Sequence, residues 1–218
     1  LVNLQLKDAP AARRALDKLA ALPKQADRAN FYRGRLADSQ HQPEEALKWY
    51  ALVRGEEHSL EAAVRSAEIL ARQGNMDAAV KVLQDQETSD QATQTRLVLA
   101  EVNLLMDAQQ YPRAESTVNR GLALYPDDVD LLFARSMVLE KLGQYQAMEA
   151  DLKTVLAQEP DNANALNALG YTLAERGERL DEARTLIERA LALGPDNPFI
   201  MDSMGWVLYR QCQHEPAL

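Results

Sequence analysis

Cysteine is almost missing from this chain. The single thiol, Cys212, has no internal partner, so no disulfide is available and the redox compartment stays open. Aromatic residues make up only 6% of the 218 residues, and glycine and proline number nine each. β-Branched residues are sparse, while Ala, Leu, Glu, Gln and Arg dominate, a mixture that favours helix over strand. No apolar run approaches the roughly 18 residues needed to cross a bilayer; Leu97-Val98-Leu99-Ala100 is stopped by Glu101. Basic charge is also in deficit: the net charge is -9 and the pI is near 4.9. That balance disfavours nucleic acid, whose binding rests on clustered Lys and Arg, and a polybasic membrane surface site.

Chemistry-bearing clusters are scarce too. The three histidines, His41, His58 and His214, are expected in three separate inter-helix turns, His58 in a solvated one after Glu56-Glu57, which leaves no shared metal site. No Ser or Cys has a base at a recognisable spacing, and no Gly-rich loop is built to cradle phosphate. No catalytic residue, metal or cofactor is therefore expected, and the chain reads as a non-enzyme.

What is present is a repeat. Asn164 to Pro195 reads Leu166-x-x-Leu169-Gly170-x-x-Leu173, then Gly177, Ala183-x-x-x-Ile187 and Pro195. An echo follows in 198–218, with Met201-x-x-Met204-Gly205-x-x-Leu208 and Ala217. Small residues in the second helix of each unit fall at Ala12, Ala46, Ala79, Ala114, Met148, Ala183 and Ala217, at spacings of 34, 33, 35, 34, 35 and 34. This is the spacing and residue logic of the tetratricopeptide repeat, a helix-turn-helix unit of about 34 residues. The fold expected is all-α, a TPR solenoid with the right-handed superhelix that the resemblance implies.

One array is expected over 1–218: a partial repeat at 1–22, repeats at about 26–55, 60–86, 96–126, 129–160 and 163–195, and a partial repeat at 198–218. The array is thus expected to be cut at both ends, leaving Leu1, Val2 and Leu4 at one end and Ala217 and Leu218 at the other uncapped. The punctuation agrees. Pro126-Asp127-Asp128, Pro160-Asp161-Asn162 and Pro195-Asp196-Asn197 each close a repeat and supply an N-cap for the next helix. Pro43, Pro112 and Pro198 sit at helix starts, where a missing N–H costs nothing. Gly74, Gly143 and Gly177 occupy the turn between the two helices of a unit, where positive φ is needed; His41 stands in that place in one unit and Cys212 in another. The polar stretch Gln84–Thr95 reads as a helix end plus a longer turn, a candidate hinge, and the first helix of the 96–126 unit is uncertain in register by one residue.

In the TPR fold, the resemblance implies, residues two, five, nine, twelve and thirteen places into each unit face a concave groove. That register selects Glu61, Val64, Glu68 and Arg72 from the 60–86 unit, and Asp130, Phe133, Met137, Glu140 and Lys141 from 129–160. It selects Asn164, Asn167, Tyr171 and Glu175 from 163–195, then Phe199, Asp202, Trp206, Tyr209 and Arg210 from the last unit. The expected protein-binding groove is therefore Phe133, Met137, Asn164, Asn167, Tyr171, Phe199, Asp202, Trp206 and Tyr209. Rings supply contact area and polar tips, and the asparagines can hydrogen-bond an extended backbone. The alternative for Phe199 and Trp206 is packing between adjacent units. A clamp for a Glu-Glu-Val-Asp tail needs lysine at the fifth position, and Phe31, Val64, Phe133, Asn167 and Asp202 stand there.

The segments Ala165-Leu166-Asn167-Ala168-Leu169-Gly170-Tyr171-Thr172-Leu173, Asp181-Glu182-Ala183 and Asp202-Ser203-Met204-Gly205-Trp206-Val207-Leu208-Tyr209-Arg210 resemble the C-terminal repeats of proteobacterial TPR proteins, many of them periplasmic lipoproteins of the outer membrane. Among these the likeness extends to the adaptor of a carboxyl-terminal processing protease. The resemblance implies an envelope adaptor that presents protein substrates, such as peptidoglycan hydrolases, to that protease. It implies periplasmic, outer-membrane-associated location, with any lipid anchor outside this sequence, since Cys212 lies within the array. The alternative is a structural scaffold of a pilus or secretion machine, acting by subunit docking or by self-association through exposed repeat ends.

Overall fold

A computed structural model of the chain describes residues 9–211. Leu1, Val2, Leu4, Cys212, His214, Ala217 and Leu218, to which the sequence assigned roles above, lie outside the described residues. Among the described residues there are twelve helices and no strand. They fall into two compact units that divide between Gln110 and Tyr111. The first holds α1 (Ala9–Ala20), α2 (Ala26–Ser39), α3 (Pro43–Tyr50), α4 (Glu56–Arg72), α5 (Met76–Gln84) and α6 (Gln91–Asp107). The second holds α7 (Tyr111–Leu124), α8 (Val129–Lys141), α9 (Tyr145–Gln158), α10 (Ala163–Arg176), α11 (Leu180–Leu193) and α12 (Pro198–Arg210).

Helices start where local chemistry lets them. Asp128, Asn162 and Asn197 each accept a backbone N–H of the helix that follows, at 3.1, 3.0 and 3.0 Å. Pro43 and Pro198 occupy the first turns of α3 and α12. Gly74, Gly143 and Gly177 turn the chain between paired helices at φ of 79°, 71° and 68°. His41 takes the same left-handed conformation at φ 56°, as does Gln109 at 57°, without a glycine's freedom.

Two expectations shift. The Gln84–Thr95 stretch contains the expected helix end and longer turn, the latter at residues 85–90, but α6 begins at Gln91, earlier than the repeat register placed it. The cause is Asp90, whose carboxylate accepts both the backbone N–H and the hydroxyl of Thr93, at 2.8 and 2.7 Å. Polar side chains bind the remaining connection, with Gln94 Nε2 donating to the Thr88 carbonyl at 2.6 Å. The second shift concerns His58. It lies in the first turn of α4, not in a solvated turn, and its ring stacks on Phe31 at 4.6 Å between centroids. Phe31, which the register aimed into a groove, is buried beneath that stack.

In the first unit α2 pairs with α3 and α4 with α5, α1 packs on α2, and α6 packs on α4 and α5. Phe31, Ala46, Tyr50, Ala62 and Ile69 form one buried cluster, and Ala63, Ala67, Ala79, Leu83 and Leu97 another. In the second unit α8 pairs with α9 and α10 with α11, α7 packs on α8, and α12 packs on α10 and α11. Its interior is Leu131, Val138, Met148, Leu152, Leu166, Ile187, Ile200 and Val207, all essentially fully buried. Each small anchor among the described residues, Ala12 through Ala183, is buried as well.

Close approach explains two of the glycines inside helices, Gly34 and Gly170. A Cβ built on Gly170 would stand 2.7 Å from Ile187 Cγ1 and 2.9 Å from the carbonyl oxygen of Ala183. One built on Gly34 would lie 2.5 Å from the ring of Tyr50. Hydrogen bonds then tie successive repeats. Gln158 donates to the Asp127 carbonyl, Arg189 to that of Pro160 and Arg210 to that of Glu175, at 3.1, 2.8 and 2.6 Å. Arg135 grips the buried Asp151 with two nitrogens, both at 2.7 Å, and Asn119 with a third at 3.0 Å.

Gly170→Ala is expected to lower stability by about 1–3 kcal/mol, because a backbone carbonyl cannot step aside as a side-chain tip could. Urea unfolding followed by circular dichroism checks this, and an unchanged midpoint would contradict the packing described.

Candidate protein-binding faces

In the second unit, α8, α10 and α12 are the first helices of their repeats, and a residue four places from another on one of them shares its face. Asn167 and Tyr171 share a face of α10 in this way, as Asp202 and Trp206 do on α12. Tyr171 is half-buried. Burial raises the pKa of its hydroxyl, and the nearby carboxylates of Glu175, Glu140 and Asp202 raise it further, against Lys141. These four charged groups come from α8, α10 and α12, so Tyr171 marks where the three helices turn charge toward one place. Glu140 is itself paired to Lys141 at 3.6 Å.

On α12 the rings of Trp206 and Tyr209 stack at 5.5 Å and 22°. Arg210 lies over Trp206 at 5.6 Å while donating to the carbonyl oxygen of Glu175 near the end of α10. Gly177 makes room for that guanidinium, since a Cβ there would come 2.6 Å from Arg210 Nη2. Asn167 Oδ1 and Trp206 Nε1 are buried without a hydrogen-bond partner.

The structure distributes the sequence-selected residues unevenly. Asn164, Asp202, Phe199 and Tyr209 are exposed, Phe199 the most so at 78%. Phe133, Met137, Asn167, Tyr171 and Trp206 are half-buried. Tyr171 and Asp202 come into one electrostatic neighbourhood. Phe199, at the start of α12, stands apart from the Trp206–Tyr209 stack near its end, because the two lie about two helical turns apart.

The first unit holds two clefts. A cleft of about 740 Å³ opens between α4 and α6, and Glu61, Val64, Glu68 and Arg72, the four positions selected from that repeat, all line it. Its opposite wall, with Arg96, Leu99 and Asn103 of α6, was not reached from sequence. The one-residue ambiguity in that helix hid it, and Asp90 as N-cap was the signal that could have set the register. A second cleft of about 610 Å³, between α2 and α4, shares Arg65 and Arg72 with the first. Arg65 bonds Glu68 at 3.1 Å, and Arg72 reaches from one repeat to the next to bond Asp38 at 2.9 Å.

Among the described residues no group of three or more His, Cys, Asp and Glu side chains is placed to hold a metal ion, and no helix is long and apolar enough to cross a membrane.

Family models for the tetratricopeptide repeat match residues 103–168 and 141–198. A TPR repeat-containing protein of Pseudomonas aeruginosa is 44% identical over 185 residues, which cover 85% of this chain and 31% of that protein. The chain thus spans about a third of the length of this curated relative. Among solved structures, a tetratricopeptide repeat protein of Parabacteroides merdae aligns with TM-score 0.66 at 13% identity, over 88% of this chain and 76% of its own. MamA of Desulfovibrio magneticus RS-1 aligns with TM-score 0.58 at 22% identity, over 75% and 90%. YrrB, a TPR protein with an unusual peptide-binding site, aligns with TM-score 0.54 at 18% identity, over 89% and 97%. At these identities the likeness to the solved structures is one of fold.

Burial pushes the pKa of the Tyr50 hydroxyl far above its ordinary 10.0, with Asp38 adding to the effect. The folded state therefore keeps a proton that the unfolded state releases, so stability is intact below about pH 10 and falls as pH rises past it. Alkaline unfolding monitored by circular dichroism should show this loss in the parent chain and a shallower one in Tyr50→Phe.

Proposed function

Because the chain is an all-α solenoid of tetratricopeptide repeats, a fold that mediates protein–protein interaction, we propose that it is a non-enzymatic adaptor whose first-helix faces capture an extended segment of a partner protein. The observation that carries this reading is the surface around Tyr171. A half-buried tyrosine and a stacked ring pair with an exposed Tyr209 offer aromatic contact area and phenolic groups there. Carboxylates at Glu140, Glu175 and Asp202 favour partners without acidic residues at the contact and reject others by repulsion.

The finer reading is an adaptor of the bacterial envelope, periplasmic and associated with the outer membrane, that presents peptidoglycan hydrolases or similar proteins to a carboxyl-terminal processing protease. Its support is the resemblance carried by Ala165–Leu173 and Asp202–Arg210, together with a bacterial relative of much greater length. A second reading, a docking scaffold of an envelope assembly, draws on the apolar side chains of Leu193, Phe199 and Met201, which stand exposed.

Combined replacement of Tyr171, Trp206 and Tyr209 by Ala should reduce capture of the protease and hydrolase from a native envelope extract about tenfold or more, with helical content retained. Undiminished capture would move the site off this face, and recovery of neither protein by the parent chain would remove the protease-adaptor role. Concentration-dependent association that Phe199→Asp abolishes would favour the scaffold.

A further inference from the structure

Gly74, Gly143 and Gly177 share one left-handed backbone, at φ of 79°, 71° and 68°, yet their surroundings differ. A Cβ built on Gly74 or Gly143 would meet no atom within 4 Å. One built on Gly177 would stand 2.6 Å from Arg210 Nη2 and 3.7 Å from Arg210 Cζ. Backbone conformation alone therefore accounts for glycine at 74 and 143. Gly177 does more: it leaves a notch, and a side chain from the next repeat fills it.

From that notch Arg210 makes two contacts. It donates to the carbonyl oxygen of Glu175 at 2.6 Å, in the last turn of α10, where the helix end carries partial negative charge. Its guanidinium also lies over Trp206 at 5.6 Å, and Trp206 in turn stacks on Tyr209 at 5.5 Å. The spacing on α12 permits both ring contacts, since residues three and four places apart share a helix face. Glu175 stands one turn after Tyr171, so Arg210 joins the rings of α12 to the part of α10 that bears Tyr171. Gln211, the next residue, donates to Asp181 of α11 at 2.9 Å. The end of α12 is thus tied to both helices of the preceding repeat.

We propose that Arg210 is a positioning residue for the aromatic pair, and that Gly177 sets where Arg210 sits. Seated in the notch, the guanidinium holds one face of Trp206 and fixes the orientation in which Trp206 and Tyr209 meet a partner segment. Rings ordered before contact lower the entropic cost of binding. Recognition on α12 then depends on a glycine of the preceding repeat that need not touch the partner. This role rests on the reading of the surface around Tyr171, Trp206 and Tyr209 as the site of capture.

The test uses the full chain with Trp49→Phe, which leaves Trp206 as the one tryptophan. Gly177→Asn is the first variant, because asparagine tolerates a left-handed backbone while its Cβ enters the notch. Gly143→Asn makes the same backbone change where the space is open. Arg210→Met removes the guanidinium and keeps an unbranched side chain, and it decides alone should Gly177→Asn not fold. Gly177→Asn and Arg210→Met should each raise acrylamide quenching of Trp206 about twofold or more, and Gly143→Asn should not. Both should also cut capture of the protease and hydrolase from a native envelope extract about fivefold or more, with helical content retained. Unchanged quenching in Arg210→Met, or quenching in Gly177→Asn that matches Gly143→Asn, overturns the proposal. So does unchanged capture in both variants where the combined Tyr171, Trp206 and Tyr209 replacement by Ala has lost it, an outcome that leaves the surface reading standing. If that triple variant captures as well as the parent, the surface reading falls and this role falls with it.

Discussion

The two units are built on the closeness with which paired helices can approach. Where α10 crosses α11, the backbone of Gly170 rests against Ile187 and the carbonyl of Ala183, with no space for a methyl group. Where α2 crosses α3, Gly34 leaves room for the ring of Tyr50 instead. Small residues at these crossings let the larger ones, Leu166, Leu173 and Ile187, fill the interior at the density a stable core requires. Everything exposed on the first helices is held in place by those contacts.

That arrangement divides labour within a helix. On α10, Leu166, Leu169, Gly170 and Leu173 are buried, while Asn164 and Glu175 are exposed and Asn167 and Tyr171 lie between. Helical periodicity alone produces this division, since an apolar stripe on one side leaves the opposite side free of packing duties. Function can then be carried by the exposed side without loss of fold, and different units can carry different chemistry. The second unit gathers carboxylates near Tyr171, and the first gathers guanidiniums near Tyr50.

Hydrogen bonds and ion pairs add register to packing. Arg135 with Asp151, Arg179 with Glu149 and Arg72 with Asp38 each join helices of the same or successive repeats. The carboxyl of Glu149 is held below its usual pKa by hydrogen bonds from Arg179 and Lys153, so its contribution persists at neutral pH and is lost as acid protonates it. Exposed pairs of this kind add little energy individually, but they favour one alignment of neighbouring repeats over slipped ones.

Repeat length was legible because the anchors recur at 33–35 residues, and capping by Asp128, Asn162 and Asn197 and the left-handed turn at Gly177 because each depends on residues within a few positions of one another. The four cleft positions of α4 were legible through the inward-facing register that the TPR resemblance implies. The wall supplied by α6 was not, because its start depends on a cap at Asp90 outside the repeat register. Nor were the burial of Phe31 under His58, the partnerless hydroxyl of Tyr50 and the convergence of Glu140, Glu175 and Asp202 on Tyr171. These arise between residues far apart in the chain, so only tertiary packing could decide them. The sequence by itself determined a repeating helical scaffold and its free faces; the tertiary structure decided which side chains on those faces meet, and with what charge.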